Sequence, residues 1–405
     1  MPRHNQRSFA SFLTGPGLGN GQGALFERPL SERAPHVAAL KSLVEPLLGP
    51  RLRVLSSLGG GYGYDPCSLF LVLMFGYLQG QRSSRRLEES CRFDARYAFL
   101  SDGLEPDHAT LARFRRRLAP ELEGLFLLVC QEAERQGVLE RKAMAVDGTN
   151  VAAVRTQWKK ALAEAEATDA LEDEAHKMLG AGRFLVGYNL QVAADPSSGL
   201  VVGYAATSQG YDQGQMEGVA RAVERQSGGL PEAVVADKGY DSGKDAQALA
   251  GRGVKACLPC ADRRVRPSFT VGEDGAVRCP AGHEAKAGLM RNAGREVRTR
   301  YRVRKCGVCP MKPACGVKGK VRDFTVANGA EAGAREAANA FARSDEGRAL
   351  LRLRGPTIER VFGQFKGNQG FRRLLLRGLS GASLELGLMS LGHNLKRLLK
   401  GPKTA

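Results

Sequence analysis

The chain has 405 residues, of which 43% are hydrophobic, enough for two or three folded domains and too many for a disordered polymer. Lys and Arg number 60 against 42 Asp and Glu, a formal net charge of +18, so the simplest partner is a polyanion such as DNA. The longest apolar run, Leu69–Leu78, is about half the roughly 20 residues that a membrane-spanning helix needs, and no signal peptide precedes it. We therefore expect a soluble, cytoplasmic protein with no membrane partner.

The N-terminal third divides by composition into two parts. Residues 1–55 mix Gly, Pro and Arg around one amphipathic stretch, 37–48, and are expected to form a loosely ordered N-terminal arm. Residues 56–140 follow a helical pattern almost throughout and are expected to form an all-α DNA-binding domain.

One basic helix of this domain has a defined start and two distinct faces. Asp107 follows Pro106 and is the expected N-cap. Leu111, Phe114 and Leu118 form an apolar stripe, which leaves Arg113, Arg116 and Arg117 on the outward face. These arginines can bind DNA phosphates; the alternative is a solvated face on a bundle helix.

Two aspartates each follow a short apolar run that contains valine. Ala143-Met-Ala-Val precedes Asp147, and Ala233-Val-Val-Ala precedes Asp237. Such runs are typical of buried strands, so each aspartate is expected at the C-terminal end of a strand. Because a single Asp-Gly is more often a turn or cap, the assignment depends on the combination with a third carboxylate.

The third carboxylate is Glu359, which lies in a segment with helical period. Four apolar residues share one face of that helix, with Glu359 at its edge: Ile358, Val361, Phe362 and Phe365. Gly355-Pro356 predicts the start of the helix, which places Arg352 and Arg354 in the segment that enters it. Lys366 is two turns after Glu359 and is expected on the same side.

The predicted elements between these carboxylates form a recognisable order. Residues 187–194 and 200–206 flank a turn and predict a hairpin, and a helix is predicted over 216–226. Two aspartates from strands and one glutamate from a helix are the layout of an RNase H-like core that holds two divalent metals. We therefore expect an α/β, RNase H-like mixed-sheet catalytic domain over 141–256 and 345–400.

The segment 257–344, between the two parts of that domain, is a cysteine-rich insertion. Nine cysteines in an intracellular chain of this size do not indicate a disulfide framework, so clustered ones favour a metal. His283 is a substitute ligand, Cys257 and Cys260 are a competing pair, and reduced cysteines without metal are the alternative. The candidates for a structural zinc site are Cys279, Cys306, Cys309 and Cys315.

Taken together, these segments resemble those of bacterial insertion-sequence transposases of the DDE type. The resemblance extends over most of the chain. It is carried by Tyr62-Gly-Tyr-Asp-Pro, Gln79-Gly-Gln-Arg-Ser-Ser-Arg-Arg, Pro106-Asp-His-Ala-Thr-Leu-Ala-Arg-Phe, Asp147-Gly-Thr, Gly187-Tyr-Asn-Leu-Gln, Ala236-Asp-Lys-Gly-Tyr-Asp-Ser, Glu359-Arg-Val-Phe-Gly-Gln-Phe-Lys and Leu395-Lys-Arg. Relatives often have a Tyr and then an Arg before the glutamate, where this chain has Arg352 and Gly355.

The resemblance implies that Asp147, Asp237 and Glu359 are the catalytic triad and hold two Mg²⁺ ions, for which Mn²⁺ can substitute. It implies Mg²⁺-dependent cleavage of double-stranded DNA at element ends and strand transfer into target DNA, by a homodimer in a synaptic complex. Lys238, Arg354 and Lys366 would position phosphates. The protein would be bacterial and nucleoid-associated.

Two alternatives stay open at this point. One is an RNase H-like DNA nuclease that cuts without strand transfer. The other is a non-catalytic, transposase-derived DNA-binding protein that uses its basic helices and zinc module alone.

Overall fold

The computed structural model describes residues 34–57, 63–154, 174–180, 183–260, 270–271, 276–293, 296–327 and 330–401. Contacts divide the described residues into two compact units. Unit 1 takes those within Met1–Asp212, Gly218–Glu232 and Arg352–Ala405, and unit 2 takes those within Gln213–Glu217 and Ala233–Leu351.

The described secondary structure is mixed α/β. The helices are α1 (Pro35–Ser57), α2 (Pro66–Leu78), α3 (Ser84–Phe93), α4 (Ala95–Leu100), α5 (His108–Arg117), α6 (Leu122–Arg135), α7 (Met216–Ser227), α8 (Gly243–Ala250), α9 (Lys312–Cys315), α10 (Ala330–Arg343), α11 (Asp345–Phe362) and α12 (Gly378–Leu398). The strands are β1 (Ala143–Ala152), β2 (His176–Gly180), β3 (Arg183–Ala194), β4 (Val201–Thr207), β5 (Ala233–Val235), β6 (Lys255–Cys257), β7 (Thr270–Val271), β8 (Val277–Arg278), β9 (Lys286–Ala293), β10 (Glu296–Val303) and β11 (Arg322–Ala327). A 3₁₀ turn covers Lys238–Tyr240, and a π-helix covers Gly363–Asn368.

Unit 1 begins with a helical region whose centre is α2. The Asp65 side chain caps this helix, Pro66 occupies its first turn, and every residue from Pro66 to Tyr77 is buried. A helix that is apolar all round must be covered on all sides, and α2 packs against α1, α12 and the neighbouring helices. No helix in the described ranges combines the length and apolarity needed to cross a bilayer.

Residues 1–33 of the expected N-terminal arm lie outside the described residues, and the C-terminal part of that arm forms helix α1. The amphipathic stretch 37–48 lies inside a helix of 23 residues that includes Pro46 and Pro50. Its buried side chains recur at helical spacing: Val37, Leu40, Val44, Leu48, Leu52 and Leu55. The packing of this stripe against α2 outweighs the helix-breaking tendency of the prolines.

The sheet of unit 1 is built on β3. This strand pairs antiparallel with β1, β2 and β4, and the turn 195–199 joins it to β4. The hairpin predicted from the sequence is therefore confirmed, as is the helix predicted over 216–226, which is α7. Helix α12 covers β4 and β3, with most of its residues buried.

A buried ion pair connects α12 to the segment before α3, and hydrogen bonds from both partners reach the segment that follows the π-helix. Arg82 Nη1 lies 2.7 Å from a carboxylate oxygen of Glu385, whose side chain is fully buried. The backbone N–H groups of Leu375 and Leu376 donate to the other carboxylate oxygen, and Arg82 also donates to the carbonyl of Arg373 at 3.1 Å. Both oxygens of the Glu385 carboxylate and both terminal nitrogens of Arg82 therefore have hydrogen-bond partners, which is the kind of environment in which a buried ion pair is tolerated.

Unit 2 contains parallel and antiparallel pairs. Strands β5 and β6 pair in parallel, and α8 and α10 pack beside β6. Strands β9, β10 and β11 form a separate antiparallel sheet, and β7 pairs with β8. The cysteine-rich segment lies within these small sheets.

Candidate active site

Asp147 lies in the middle of β1. The prediction that it ends a strand is wrong, since β1 runs to Ala152 and pairs with β3 along Ala145–Ala152. Its side chain is 29% exposed. One carboxylate oxygen accepts the Gly148 N–H at 2.9 Å, and the other lies 2.9 Å from Arg354 Nη1. The carboxylate is thus reachable from solvent and held by a cation from α11.

Gly148 lies on the face of β1 opposite to the one that carries Asp147. A Cβ at this position would overlap with a carboxylate oxygen of Asp212 and with the side-chain nitrogen of Gln191. Asn189 Nδ2 and Gln191 Nε2 both donate to that Asp212 oxygen, at 2.9 and 2.8 Å. No side chain fits at position 148, and Asp212 is a structural carboxylate that the sequence analysis missed. The available signal was the pair of amides, Asn189 and Gln191, in the stretch 186–194 of β3, which is otherwise apolar and buried.

Glu359 lies on α11, as predicted, but the helix starts earlier. It begins at Asp345, where the Ser344 hydroxyl accepts the Gly347 N–H, and Pro356 lies inside it. The prediction of a start at Gly355-Pro356 is therefore wrong, and Arg352 and Arg354 are helical. Since proline cannot donate to the carbonyl one turn back, local side-chain bonds help to hold this turn, such as the one from Thr357 to the Leu353 carbonyl at 2.7 Å.

The orientation of Glu359 follows from its neighbours. Ile358 and Val361 are buried, whereas Glu359 is exposed. A Cβ at Gly355 would lie 3.8 Å from a carboxylate oxygen of Glu359. The carboxylate therefore points back along the helix over Gly355, beside the turn that carries Arg354.

Lys366 lies in the π-helix that continues α11. Its ammonium group donates to the Thr149 hydroxyl and, at 3.3 Å, to the Asn150 carbonyl. Burial lowers the pKa of Lys366, and the nearby Arg372 adds to the effect. Thr149 is two residues from Asp147 and so shares its face of β1. Two cations, Arg354 and Lys366, therefore lie on the face of β1 that carries Asp147.

Asp237 lies in unit 2, directly after β5, as the sequence predicts for a strand end. Its carboxylate caps the 3₁₀ turn and accepts the Gly239 N–H at 2.7 Å, while the side chain of the next residue, Lys238, is exposed. The later aspartate Asp241 is buried and forms a bidentate pair with Arg335, at 2.7 and 2.6 Å. Of these two aspartates, Asp237 is the one open to a ligand.

The basic helix α5 matches its predicted start. Asp107 accepts the Thr110 N–H at 2.6 Å as N-cap. Arg113 and Arg116 are exposed, and Arg117 is half-buried. Arg115 is instead only 4% exposed and donates to the Arg82 carbonyl at 3.0 Å, so this arginine is structural. The exposed pair remains available to a phosphate backbone.

The four cysteines considered for zinc are neighbours in unit 2. Cys306 and Cys315 are buried, and Cys279 and Cys309 are half-buried. Burial raises the pKa of the Cys306 thiol, and the thiols of Cys279 and Cys309 raise it further. Of the competing pair, Cys257 is buried against the Gly347 carbonyl and Cys260 is exposed. Cys67, Cys91 and Cys130 are buried in helices, as expected of core residues.

Within the ranges given above, no group of three or more His, Cys, Asp or Glu side chains lies at the spacing of metal ligands. Of the four cysteines, Cys306 belongs to a small apolar cluster with Val277, Ala285 and Val303, and Cys279 packs against this cluster. Both the zinc site and the magnesium site stay predictions.

Two family models match the chain. The one described as Transposase DDE domain matches residues 278–399, which include Glu359, Lys366 and the four clustered cysteines. The one described as Transposase domain (DUF772) matches residues 28–117, which include α5. Asp147 and Asp237 lie outside both ranges, and no curated protein gives a significant match. On these two matches, which together span just over half of its residues, the chain belongs to the DDE-type transposases of insertion sequences.

Proposed function

We propose that this transposase-family chain cleaves double-stranded DNA at insertion-sequence ends and transfers the freed strand into target DNA, using divalent metal ions. The proposal is carried by two contacts on one face of β1. Arg354 pairs with Asp147, and Lys366 donates to Thr149, two residues further along the strand. A carboxylate between two cations suits a reaction in which a metal and a DNA phosphate meet.

The residues present fit a hard divalent metal. Mg²⁺ prefers carboxylate oxygens, and the carboxylates of Asp147 and Glu359 both reach solvent in unit 1. In unit 2, Asp237 offers a half-buried carboxylate at the end of β5. We assign the metal to Asp147, Asp237 and Glu359 on these grounds and on the RNase H-like order of the elements. When bound, Mg²⁺ or Mn²⁺ would supply the Lewis acid that activates the attacking oxygen and stabilises the leaving one.

The cations would orient the DNA. When a metal binds Asp147, Arg354 can release this carboxylate and bind a non-bridging phosphate oxygen instead, since a guanidinium binds carboxylate and phosphate with the same geometry. Lys366 is held at Thr149, so its ammonium is preorganised on the same face. Lys238 is exposed beside Asp237 and is assigned a phosphate contact, as are Arg113, Arg116 and Arg117 on α5.

The same groups serve both chemical steps. In cleavage, water attacks the scissile phosphodiester and the 3′-oxygen leaves. In strand transfer, the freed 3′-hydroxyl takes the place of water and attacks a target phosphodiester. Since two element ends must react together, we expect a homodimer in the active complex.

A direct test compares joining and cleavage of a labelled element-end duplex in Mg²⁺ by the wild type, Glu359→Gln and Glu346→Gln. Glu346 is a matched control, because it lies on the same helix with a 60% exposed side chain that makes only a 3.7 Å pair with Lys255. Joining by the wild type and the control, and none by Glu359→Gln, supports the proposal. Cleavage without joining favours a nuclease. DNA binding with no cleavage by any of the three proteins favours a non-catalytic DNA-binding protein.

A further inference from the structure

A basic cleft in unit 1 lies away from Asp147 and is used by none of the steps above. It has a volume of about 350 Å³ and is lined by Arg397 near the end of α12, by Lys400 just beyond it, by Glu140 and by the turn that joins β3 to β4. A smaller cavity shares Arg397 and Ser197 with it and adds Arg360 from α11. Cations from two different helices therefore meet at one turn.

Arg397 is the central residue of this cleft. It is half-buried, and its side chain forms no hydrogen bond or ion pair with any residue that the structure describes. Its guanidinium lies against the turn at Gly199, where a Cβ would be 2.8 Å from Arg397 Nη2. Burial lowers the pKa of Arg397, and the charge of Arg360 lowers it further. A partly desolvated arginine that faces another arginine lacks the anion that would normally offset its charge.

The carboxylates near the cleft are engaged elsewhere. Asp195 is buried below the turn, where one of its oxygens accepts the hydroxyls of Ser197 and Ser198 and the Ser198 N–H. Glu140 lies 2.7 Å from Lys142. His393 donates to the Gly199 carbonyl at 2.9 Å and fixes the turn, while its pKa of about 4 keeps it uncharged. The cleft therefore keeps a surplus of positive charge.

Basic residues at the C-terminus of α12 are explained in part by the helix dipole, which favours cations there. That effect does not explain why the Arg397 side chain is half-buried beside Arg360, which belongs to α11. An anion between the two guanidinium groups would explain it, because each then gains an acceptor with two or more oxygens.

The cleft lies close enough to Asp147 for one DNA strand to contact both. Asp147 pairs with Val192, three residues before Asp195, which is about 10 Å along a strand. Arg360 is six residues after Arg354, which is about 9 Å along a helix. Successive phosphates of one strand advance by about 3.4 Å along the duplex axis and also rotate around it, so they are farther apart in space than this rise, and a separation of about 10 Å corresponds to roughly one to two nucleotides.

We propose that Arg397, Arg360 and Lys400 bind a phosphate of the DNA backbone roughly one to two nucleotides from the reacting one. The proposal rests on the proposed function, because it takes DNA as the ligand and Asp147 as the reaction centre. The contact would hold the register of the strand and would not read its sequence.

The test measures binding of the full chain to a labelled 30-base-pair duplex of random sequence, by fluorescence anisotropy between 50 and 200 mM salt. The variants are Arg397→Ala and Arg397→Ala/Lys400→Ala. The control is Arg135→Ala, which removes a 73% exposed arginine whose partner is Glu132. Each lost phosphate contact should lower the slope of log K against log salt by about 0.9. Because the three side chains share one phosphate, we expect a reduction of up to about 0.9 in both variants, more complete in the double variant, with the control unchanged.

Slopes equal to the wild type in both variants would overturn the proposal, provided that thermal melts show folded proteins. A second arm records melting with and without inorganic phosphate. If phosphate stabilises the wild type and not Arg397→Ala, while DNA slopes are equal, the cleft takes free phosphate and the DNA assignment is overturned. This outcome is independent of the catalytic test, since Glu359→Gln can abolish joining while the Arg397 variants bind DNA normally.

Discussion

Arg354 Nη1 lies 2.9 Å from a carboxylate oxygen of Asp147, so the residue assigned to bind metal is paired with a cation. The two residues are 207 positions apart in the sequence and meet because α11 runs along the face of β1 that carries Asp147. The Arg354 guanidinium occupies a place where a divalent ion would compete with it. Binding of metal therefore requires this arginine to move, which frees it for a phosphate.

Removal of the arginine should accordingly strengthen metal binding while weakening catalysis. We expect Arg354→Gln to bind Mn²⁺ up to about fivefold more tightly in the absence of DNA, since a partly exposed ion pair contributes up to about 1 kcal/mol. Titration followed by electron paramagnetic resonance measures this. Asp147→Asn should lose the binding, and equal affinities of Arg354→Gln and the wild type would contradict the competition.

Gly148 should tolerate no side chain. In Gly148→Ala the new methyl group would overlap with Asp212 and Gln191 and force apart the hydrogen bonds that hold them, so we expect a loss of about 1 to 3 kcal/mol of unfolding free energy. Urea unfolding measures the change. The matched control is Gly218→Ala on α7, where nothing lies within 4 Å of a Cβ and alanine should stabilise by up to about 1 kcal/mol. Equal stability of Gly148→Ala and the wild type would show that Asp212 can move away.

The parts of the fold that follow from local chemistry could be predicted from the sequence. The Asp107 cap, the hairpin around 195–199 and the strand before Asp237 each depend on residues close in the chain, and each is present. The face of α11 is also as predicted, with Ile358 and Val361 buried and Glu359 exposed.

Tertiary contacts decided the features that could not be predicted. Asp-Gly-Thr has the composition of a turn, yet β3 pairs with it and continues β1 through Asp147 to Ala152. Pro356 indicates a helix start, yet α11 begins at Asp345 and continues past this proline to Phe362. Asp212 stands alone among polar loop residues, so only its buried partners Asn189 and Gln191 reveal it.

The clustered cysteines should hold structural zinc. Their small sheets bury few apolar side chains, the situation in which a metal commonly supplies stability. We expect one zinc per chain by mass spectrometry of the purified protein, and substantially less for Cys306→Ser/Cys309→Ser. Cys130→Ser, a buried core cysteine in α6, should keep its zinc. Wild-type protein that refolds fully in the presence of a chelator and contains no zinc would exclude a structural metal.

His393 should make the protein less stable in mild acid. Burial lowers its pKa to about 4, whereas a histidine in the unfolded chain titrates near about 6.5. Below that pH the unfolded chain gains a proton that the folded protein does not accept until about pH 4. The stabilising contribution of neutral His393 is thus present above about pH 6.5 and lost as the pH falls, by on the order of 3 kcal/mol in total.

Urea unfolding at pH 7 and pH 4.5 tests this contribution in the wild type and in His393→Gln, whose amide can still donate to the Gly199 carbonyl but does not titrate. The loss of stability between the two pH values should be smaller in His393→Gln by about 2 to 3 kcal/mol. His176→Gln is the control, because His176 is exposed and its ring nitrogen bonds to the Glu174 backbone carbonyl, so this variant should differ from the wild type by less than about 0.5 kcal/mol at both pH values. If all three proteins lose equal stability, carboxylates elsewhere account for the acid sensitivity, and His393 is not the group that couples the turn at Gly199 to pH.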